Sequence, residues 1–208
     1  MVSVGDDQEF SWLTSTLASD ATDGRGVLAE WVRPIQSGRH AVGYAVAVMA
    51  PEDDNLAVRE VATGGSLSGR ILVVGGLATA RAACMGDLIA NSIAQRGCVA
   101  VVTDGLVRDV AALRALSLSV WCRGVTPRAS RKEGPAWPGG LAVCAGVPIV
   151  DGDLVIADDD GVVVWPHAQI PTLIERAREK LAHDLARSNR IAAGGSLADP
   201  TDPASSAS

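Results

Sequence analysis

The chain has 208 residues, 48% apolar and 20% charged, which is enough for one domain with a sizeable core. A net charge of −6 supplies no attraction to nucleic acid or an anionic membrane, and 3% aromatic content leaves no stacking platform for single-stranded bases. Cys84, Cys98, Cys122 and Cys144 lack CxxC spacing and read as small buried hydrophobes of a reducing compartment. The stretch Met1 to Asp7 carries no secretion signal, and the longest apolar run, Ala41 to Ala50, is half a membrane span, so a cytoplasmic protein is expected. Arg123, Arg128, Arg131 and Lys132 read as a solvated basic loop.

Residues 8 to 20 predict an amphipathic helix, with Phe10, Leu13 and Leu17 near helical spacing. Gly26 to Met49 predicts several short strands broken at Ser37-Gly38 and Gly43. Pro51 to Asn55 is a turn and cap for a helix over about Leu56 to Thr63. Arg70 to Gly76 has the continuous apolar run of a strand buried on both faces. A helix from about Ala83 to Arg96 stops at Gly97, and Cys98 to Val102 is another buried strand. Asp109 to Leu116 predicts a short helix and Val120 to Cys122 a strand. This alternation argues for an α/β unit whose ligand lies beyond the carboxyl ends of the strands.

Arg128 to Gly140 is a loop, and Leu141 to Pro166 returns to short strands. Asp158-Asp159-Asp160 reads as a hairpin turn, with calcium binding as the alternative. His167 to Arg190 predicts a polar-faced helix with Leu173, Ala177, Leu181 and Leu185 at four-residue steps. One domain over residues 1 to 191 is expected, followed by a disordered tail over 192 to 208 rich in Ala, Gly, Ser, Pro and Asp.

Two segments carry chemistry. Gly86-Asp87-Leu88-Ile89 opens a helix, whose unpaired amides and macrodipole favour an anion. Arg108-Asp109 sets a planar fork suited to a carboxylate beside an oxygen ligand suited to a divalent cation. Asp87 and Asp109 also have a plain structural reading as helix-start residues, and Arg108 as a surface side chain. The two lysines, Lys132 and Lys180, lack the apolar setting of a Schiff-base lysine. His40, His167 and His183 lack zinc spacing, so carbonyl activation falls to a hard ion such as Mg²⁺. Gly75-Gly76-Leu77-Ala78-Thr79-Ala80 is not a dinucleotide fingerprint, and no GxSxG elbow is present.

At these residues the chain resembles the family that joins 4-hydroxy-4-methyl-2-oxoglutarate aldolase with the regulator of ribonuclease activity A. The resemblance runs through Gly86 to Ala90, Arg96 to Val102, Asp104 to Asp109, Arg123 to Arg128 and Gly152 to Val162, and more weakly through Ser19-Asp20-Ala21. It implies a compact single-domain α/β fold, an α-β-β-α sandwich assembled as a homotrimer or a dimer of trimers. It implies a metal-dependent aldolase cleaving a 4-hydroxy-2-oxo acid to pyruvate and a second keto acid, with oxaloacetate decarboxylation as a side activity. Gly86, Asp87, Leu88, Ile89 and Arg108 would then bind the pyruvate part, and Asp109 would hold Mg²⁺ or Mn²⁺. Asp87 would handle a proton through water, and Arg108 would stabilise developing charge. The family's ribonuclease regulators commonly lack the Asp of this pair, and a non-catalytic protein-binding regulator is the alternative. Gly75-Gly76, where an acidic residue is expected, and Trp137 in the later loop depart from the family pattern.

Overall fold

A computed structural model describes residues 10–197. Helix α1 (Ser15–Ala21) starts where the Thr14 side chain accepts the Leu17 amide hydrogen, later than the apolar periodicity suggested. Phe10 to Leu13 instead form a turn closed by the Leu13 amide on the Phe10 carbonyl. Next come β1 (Arg33–Pro34), β2 (Ala41–Met49), α2 (Leu56–Thr63) and β3 (Arg70–Gly75). They are followed by β4 (Ala83–Met85), α3 (Asp87–Gln95), β5 (Ala100–Thr103), β6 (Leu106–Val107), α4 (Val110–Ala115) and β7 (Ser119–Cys122). The remainder is β8 (Gly124–Val125), β9 (Trp137–Pro138), β10 (Leu141–Cys144), β11 (Val147–Val150), β12 (Leu154–Ala157), β13 (Val162–Trp165) and α5 (Ile170–Ala192).

The main sheet runs β1-β7-β5-β3-β2-β12-β13, with β9 beside the far end of β2. Strands β2, β3, β5 and β7 are parallel, as the alternation of strands and helices requires, and the outer pairs are antiparallel. The sheet curls until its edges nearly meet: Val27 bridges to Val163 on β13, while Arg33 and Pro34 pair with β7. Strand periodicity then sorts the core. Ile71, Val73, Val102, Trp121, Val155 and Val164 fill the inside of the curl with Cys144 and Ile149 of the β10–β11 hairpin. Leu72, Val74, Val101 and Val120 face outward onto α2, α3 and α4, while Leu154, Ile156, Val163 and Trp165 face outward onto α1 and α5. The expected α-β-β-α layering is therefore one mixed sheet folded on itself between two helical layers.

Several local expectations are corrected. Gly43 does not break a strand; β2 runs through it in an alternating burial pattern. A side chain there would press on the Gly69 carbonyl oxygen at 3.0 Å and on Ile71, so the glycine permits the close β2–β3 approach. Ala83 to Met85 are strand rather than helix, and they pair with β6, which pairs with β8, in a separate three-stranded parallel sheet. The last helix starts at Ile170, after a single tight turn over His167–Gln169. Asp158, Asp159 and Asp160 do form a turn between strands. Asp158 accepts from the Ser15 amide and hydroxyl and Asp159 from the Gly38 amide, so these carboxylates fasten loops. Among the described residues no helix is long and apolar enough to cross a membrane. Most of the expected tail, residues 198 to 208, lies outside the described residues, as do residues 8 and 9 of the first expected helix.

Candidate functional site

The small sheet of β4, β6 and β8 is what brings the two chemical segments together. Ala83 pairs with Leu106 and Met85 with Val107, so the turns after β4 and β6 emerge side by side. The Arg108 amide donates to the Met85 carbonyl at 3.0 Å, locking the second turn against the first. The Thr126 amide donates to the Val107 carbonyl at 3.0 Å and adds β8 as a flank.

Gly86 sits at the head of α3 with extended backbone and is buried. A Cβ there would lie 2.4 Å from Asp109 Oδ2 and 2.9 Å from both Cγ and Nε of Arg108. The glycine therefore creates the space in which the Arg–Asp pair stands. Arg108 Nε lies 3.3 Å from Asp109 Oδ2, with both side chains 39% exposed. The Asp87 amide also points at Asp109 Oδ2, at 3.3 Å, and the Leu88 amide donates to Asp87 Oδ1 at 2.7 Å. Among the described residues Leu88 is the most exposed of the large apolar side chains at 78%, and Ile89 packs partly against the core beneath it.

Asp109 does not act as a helix cap. It occupies the N-cap position of α4 in the left-handed region (φ 57°, ψ 41°), and its carboxylate makes no capping hydrogen bond. A left-handed residue other than glycine costs roughly 1 kcal/mol, less for Asp than for most residues. The cost is met by the surrounding fold, and the result is a carboxylate turned toward the Gly86 turn. A hard divalent ion keeps several waters and needs few carboxylates. Among the described residues no three His, Cys, Asp or Glu side chains gather as a metal cage. The donor set at this spot, a partly exposed Asp109 with Asp87 on the adjoining turn, fits a water-rich Mg²⁺ or Mn²⁺ shell.

Three supporting residues escaped the sequence reading. Asp104 is 2% exposed at the end of β5. Its carboxylate accepts from the Leu77 amide at 2.9 Å and the Ala145 amide at 3.2 Å, joining three loops, and burial pushes its pKa up. Arg123, expected in a solvated patch, instead turns inward and donates from Nε to the Asp104 carbonyl and from its terminal nitrogen to the Ala80 carbonyl. Thr103 Oγ1 receives the Gly105 amide at 3.0 Å. An Asp-Gly pair after a buried strand was the available signal for this support. Gly75 and Gly76 also have a physical reason. A Cβ on Gly75 would lie 2.2 Å from the Val143 carbonyl oxygen, and one on Gly76 2.7 Å from Met49 Sδ. The β10 strand passes over this turn and leaves no room for an acidic side chain. Trp137 and Pro138 contribute backbone pairing to β2.

All four cysteines are buried and unpaired by disulfides. Burial pushes the Cys84 thiol up to about 12 and those of Cys98 and Cys122 to about 11, which removes them as nucleophiles.

The aldolase/RraA family model, RraA-like, matches residues 14–164, which include the whole of this site. The chain belongs to the RraA-like family. A protein of Halalkalibacterium halodurans named "Putative 4-hydroxy-4-methyl-2-oxoglutarate aldolase" is 34% identical over 183 residues, covering 88% of this chain and 87% of its own. The solved structure of Thermus thermophilus RraA, described as an RNA-processing inhibitor, is 28% identical with a TM-score of 0.64, covering 73% of this chain and 92% of its own. Streptomyces coelicolor RraAS2, described as an unusual member of the RNase ES inhibitor RraA protein family, shares the fold at 24% identity. Its TM-score is 0.73, with 88% of this chain and 96% of that one covered. The curled sheet is thus shared with solved structures described as RraA, while the aldolase-named relative is similar in sequence.

Proposed function

We propose that this RraA-like protein is a divalent-metal-dependent aldolase. It would cleave a 4-hydroxy-2-oxo acid, such as 4-hydroxy-4-methyl-2-oxoglutarate, to pyruvate and a second keto acid, with oxaloacetate decarboxylation as a side activity. The observation that carries this reading is the space left by Gly86, which sets a helix-start turn against Arg108 and Asp109. The aldolase name of the H. halodurans relative supports it.

Asp109, with water, would hold Mg²⁺ or Mn²⁺. Such an ion supplies Lewis acidity toward the keto oxygen. The guanidinium of Arg108 binds and orients the substrate carboxylate, and the Asp87 and Leu88 amides join it by exchanging their present partners, Asp109 Oδ2 and Asp87 Oδ1, for the substrate. Arg108 then lies where negative charge develops on the pyruvate-derived fragment as the carbon–carbon bond breaks. A fixed cation there stabilises that charge without reorganising. Asp87, half-exposed at the mouth, would take the 4-hydroxyl proton through water as the bond breaks and return it through water to the carbon released on the pyruvate-derived fragment. Decarboxylation needs only the second transfer. A homotrimer or a pair of trimers is the proposed assembly.

The test follows pyruvate release from oxaloacetate and from 4-hydroxy-4-methyl-2-oxoglutarate, with and without Mg²⁺. Arg108→Ala and Asp109→Ala are each expected to lower metal-dependent kcat/KM by at least about 100-fold; normal turnover by either variant would refute the assignment. The regulator reading is favoured by the RraA descriptions of the structural neighbours. Absence of turnover in the unaltered protein, together with binding to an RNase E-type partner, would establish that reading instead.

A further inference from the structure

Helix α4 has six residues, too few to hold its own register, because nucleating a helix costs more than one turn returns. Its start carries Asp109. Its end is gripped from outside. Gln36 Nε2 donates to the Arg114 carbonyl at 2.7 Å and reaches the Leu113 carbonyl at 3.4 Å. Arg39 donates from its guanidinium to the Leu116 carbonyl at 3.2 Å. In return Arg114 Nε donates to the Ile35 carbonyl at 2.9 Å. The gripping segment is itself fixed to the main sheet, since the Ile35 amide donates to the Val120 carbonyl and Arg33–Pro34 pair with β7.

These bonds take carbonyls that a helix end leaves without partners. Gln36 Oε1 is buried without a hydrogen-bond partner among the described residues, so the amide serves through its donors alone. The other end of α4 is held by the Leu113 amide on the Asp109 carbonyl, with Asp109 in a left-handed conformation. Both polar contacts of Asp109 Oδ2, to Arg108 Nε and to the Asp87 amide, are 3.3 Å long, so a small displacement of α4 breaks them.

We infer that Gln36 and Arg39 are positioning residues: they clamp the carboxyl end of α4 and so fix the Asp109 carboxylate opposite Gly86, about one helix length away. The functional part rests on the proposed metal-dependent activity; the geometric part does not. Gln36→Leu removes both donors while keeping the apolar stem.

The test records ¹H–¹⁵N spectra of the metal-free protein, Mn²⁺ affinity and oxaloacetate turnover against Mg²⁺ concentration. In Gln36→Leu the cross-peaks of Asp87 and Asp109 are expected to move. Mn²⁺ affinity should fall on the order of tenfold, and saturating Mg²⁺ should restore most of kcat, because a higher ion concentration offsets weaker binding by mass action. Arg39→Ala should act in the same direction, and Arg39→Lys, which keeps a donor, should recover the affinity. Unchanged cross-peaks at Asp87 and Asp109 in folded Gln36→Leu and Arg39→Ala overturn the clamp, as does unchanged Mn²⁺ affinity beside a wild type that binds. If the cross-peaks move but the unaltered protein neither binds Mn²⁺ nor releases pyruvate, the clamp stands and the aldolase reading falls.

Discussion

Two aspartates stand at the starts of two short helices, and they do opposite things. Asp54, just before α2, is 1% exposed, and its carboxylate is consumed by backbone amides: Leu56 at 2.9 Å, Glu133 at 2.7 Å and Gly134 at 3.1 Å. Asp109, just before α4, caps nothing and turns a partly exposed carboxylate toward an arginine and a glycine turn. Residue type is shared and helix position nearly so, Asp54 lying one residue before the N-cap Asn55 and Asp109 at the N-cap itself, so neither distinguishes structure from chemistry. The distinction lies in where the oxygens point, and that is fixed by the neighbouring loops. Asp54 ties the 131–134 loop to α2; Asp109 is left facing the mouth.

The comparison breaks first if Gly86→Ala leaves activity intact. Its added Cβ would overlap Asp109 Oδ2 at 2.4 Å, so the pair must swing away. Pyruvate release is expected to drop about 100-fold, on the scale of a 1 Å misplacement, with thermal unfolding followed in parallel to confirm the fold.

Asp54→Ala should show the converse pattern, losing stability while keeping turnover per folded molecule. Removing one carboxylate orphans three amides, and denaturant unfolding should register about 2–3 kcal/mol. The same carboxylate predicts an acid limb. Burial raises its pKa, but the amides of Leu56, Glu133 and Gly134 and the charge of Arg131 outweigh that, and the folded value lies below the ordinary 3.8. A depressed folded pKa means that its stabilisation is present in full above the unfolded value. It is lost as pH falls below 3.8 through the folded one. Asp54→Ala should therefore flatten stability over that window, and an unchanged acid limb would contradict the assignment.

Asp109→Gly sharpens the contrast with the smallest stability effect. Glycine relieves the left-handed backbone but adds freedom to the unfolded chain, so stability should stay within about 1 kcal/mol of the parent while Mn²⁺ binding disappears. Calorimetry on one sample reads both quantities.

Much of this was legible in the residues. The parallel unit from Arg70 to Cys122 follows from apolar runs alternating with helical segments, and β3, β5 and β7 appear within a few residues of expectation. The Gly86 turn and the Arg108-Asp109 pair were visible as residue types suited to a carboxylate and a cation. The strands that unite them were not. β6 and β8 have two residues each, below any periodicity, and Ala83-Cys84-Met85 is apolar in either a helix or a strand. The anchoring role of Arg123 is not legible in the sequence, because a charged residue in a hydrophilic stretch gives no sign that the Asp104 and Ala80 carbonyls await it.

The amino-acid order by itself determined the α/β class, the buried strands and the presence of a glycine-headed helix turn and an Arg–Asp pair, because these depend on local pattern and side-chain chemistry. Only the tertiary structure decided that the turn and the pair face one another, that the Asp109 carboxylate bonds no amide of its own helix while Asp54 takes three amides, and that Gln36 grips the helix behind the site. Those outcomes depend on pairings between residues tens of positions apart, and no local preference encodes where a carboxylate points once distant backbones close around it.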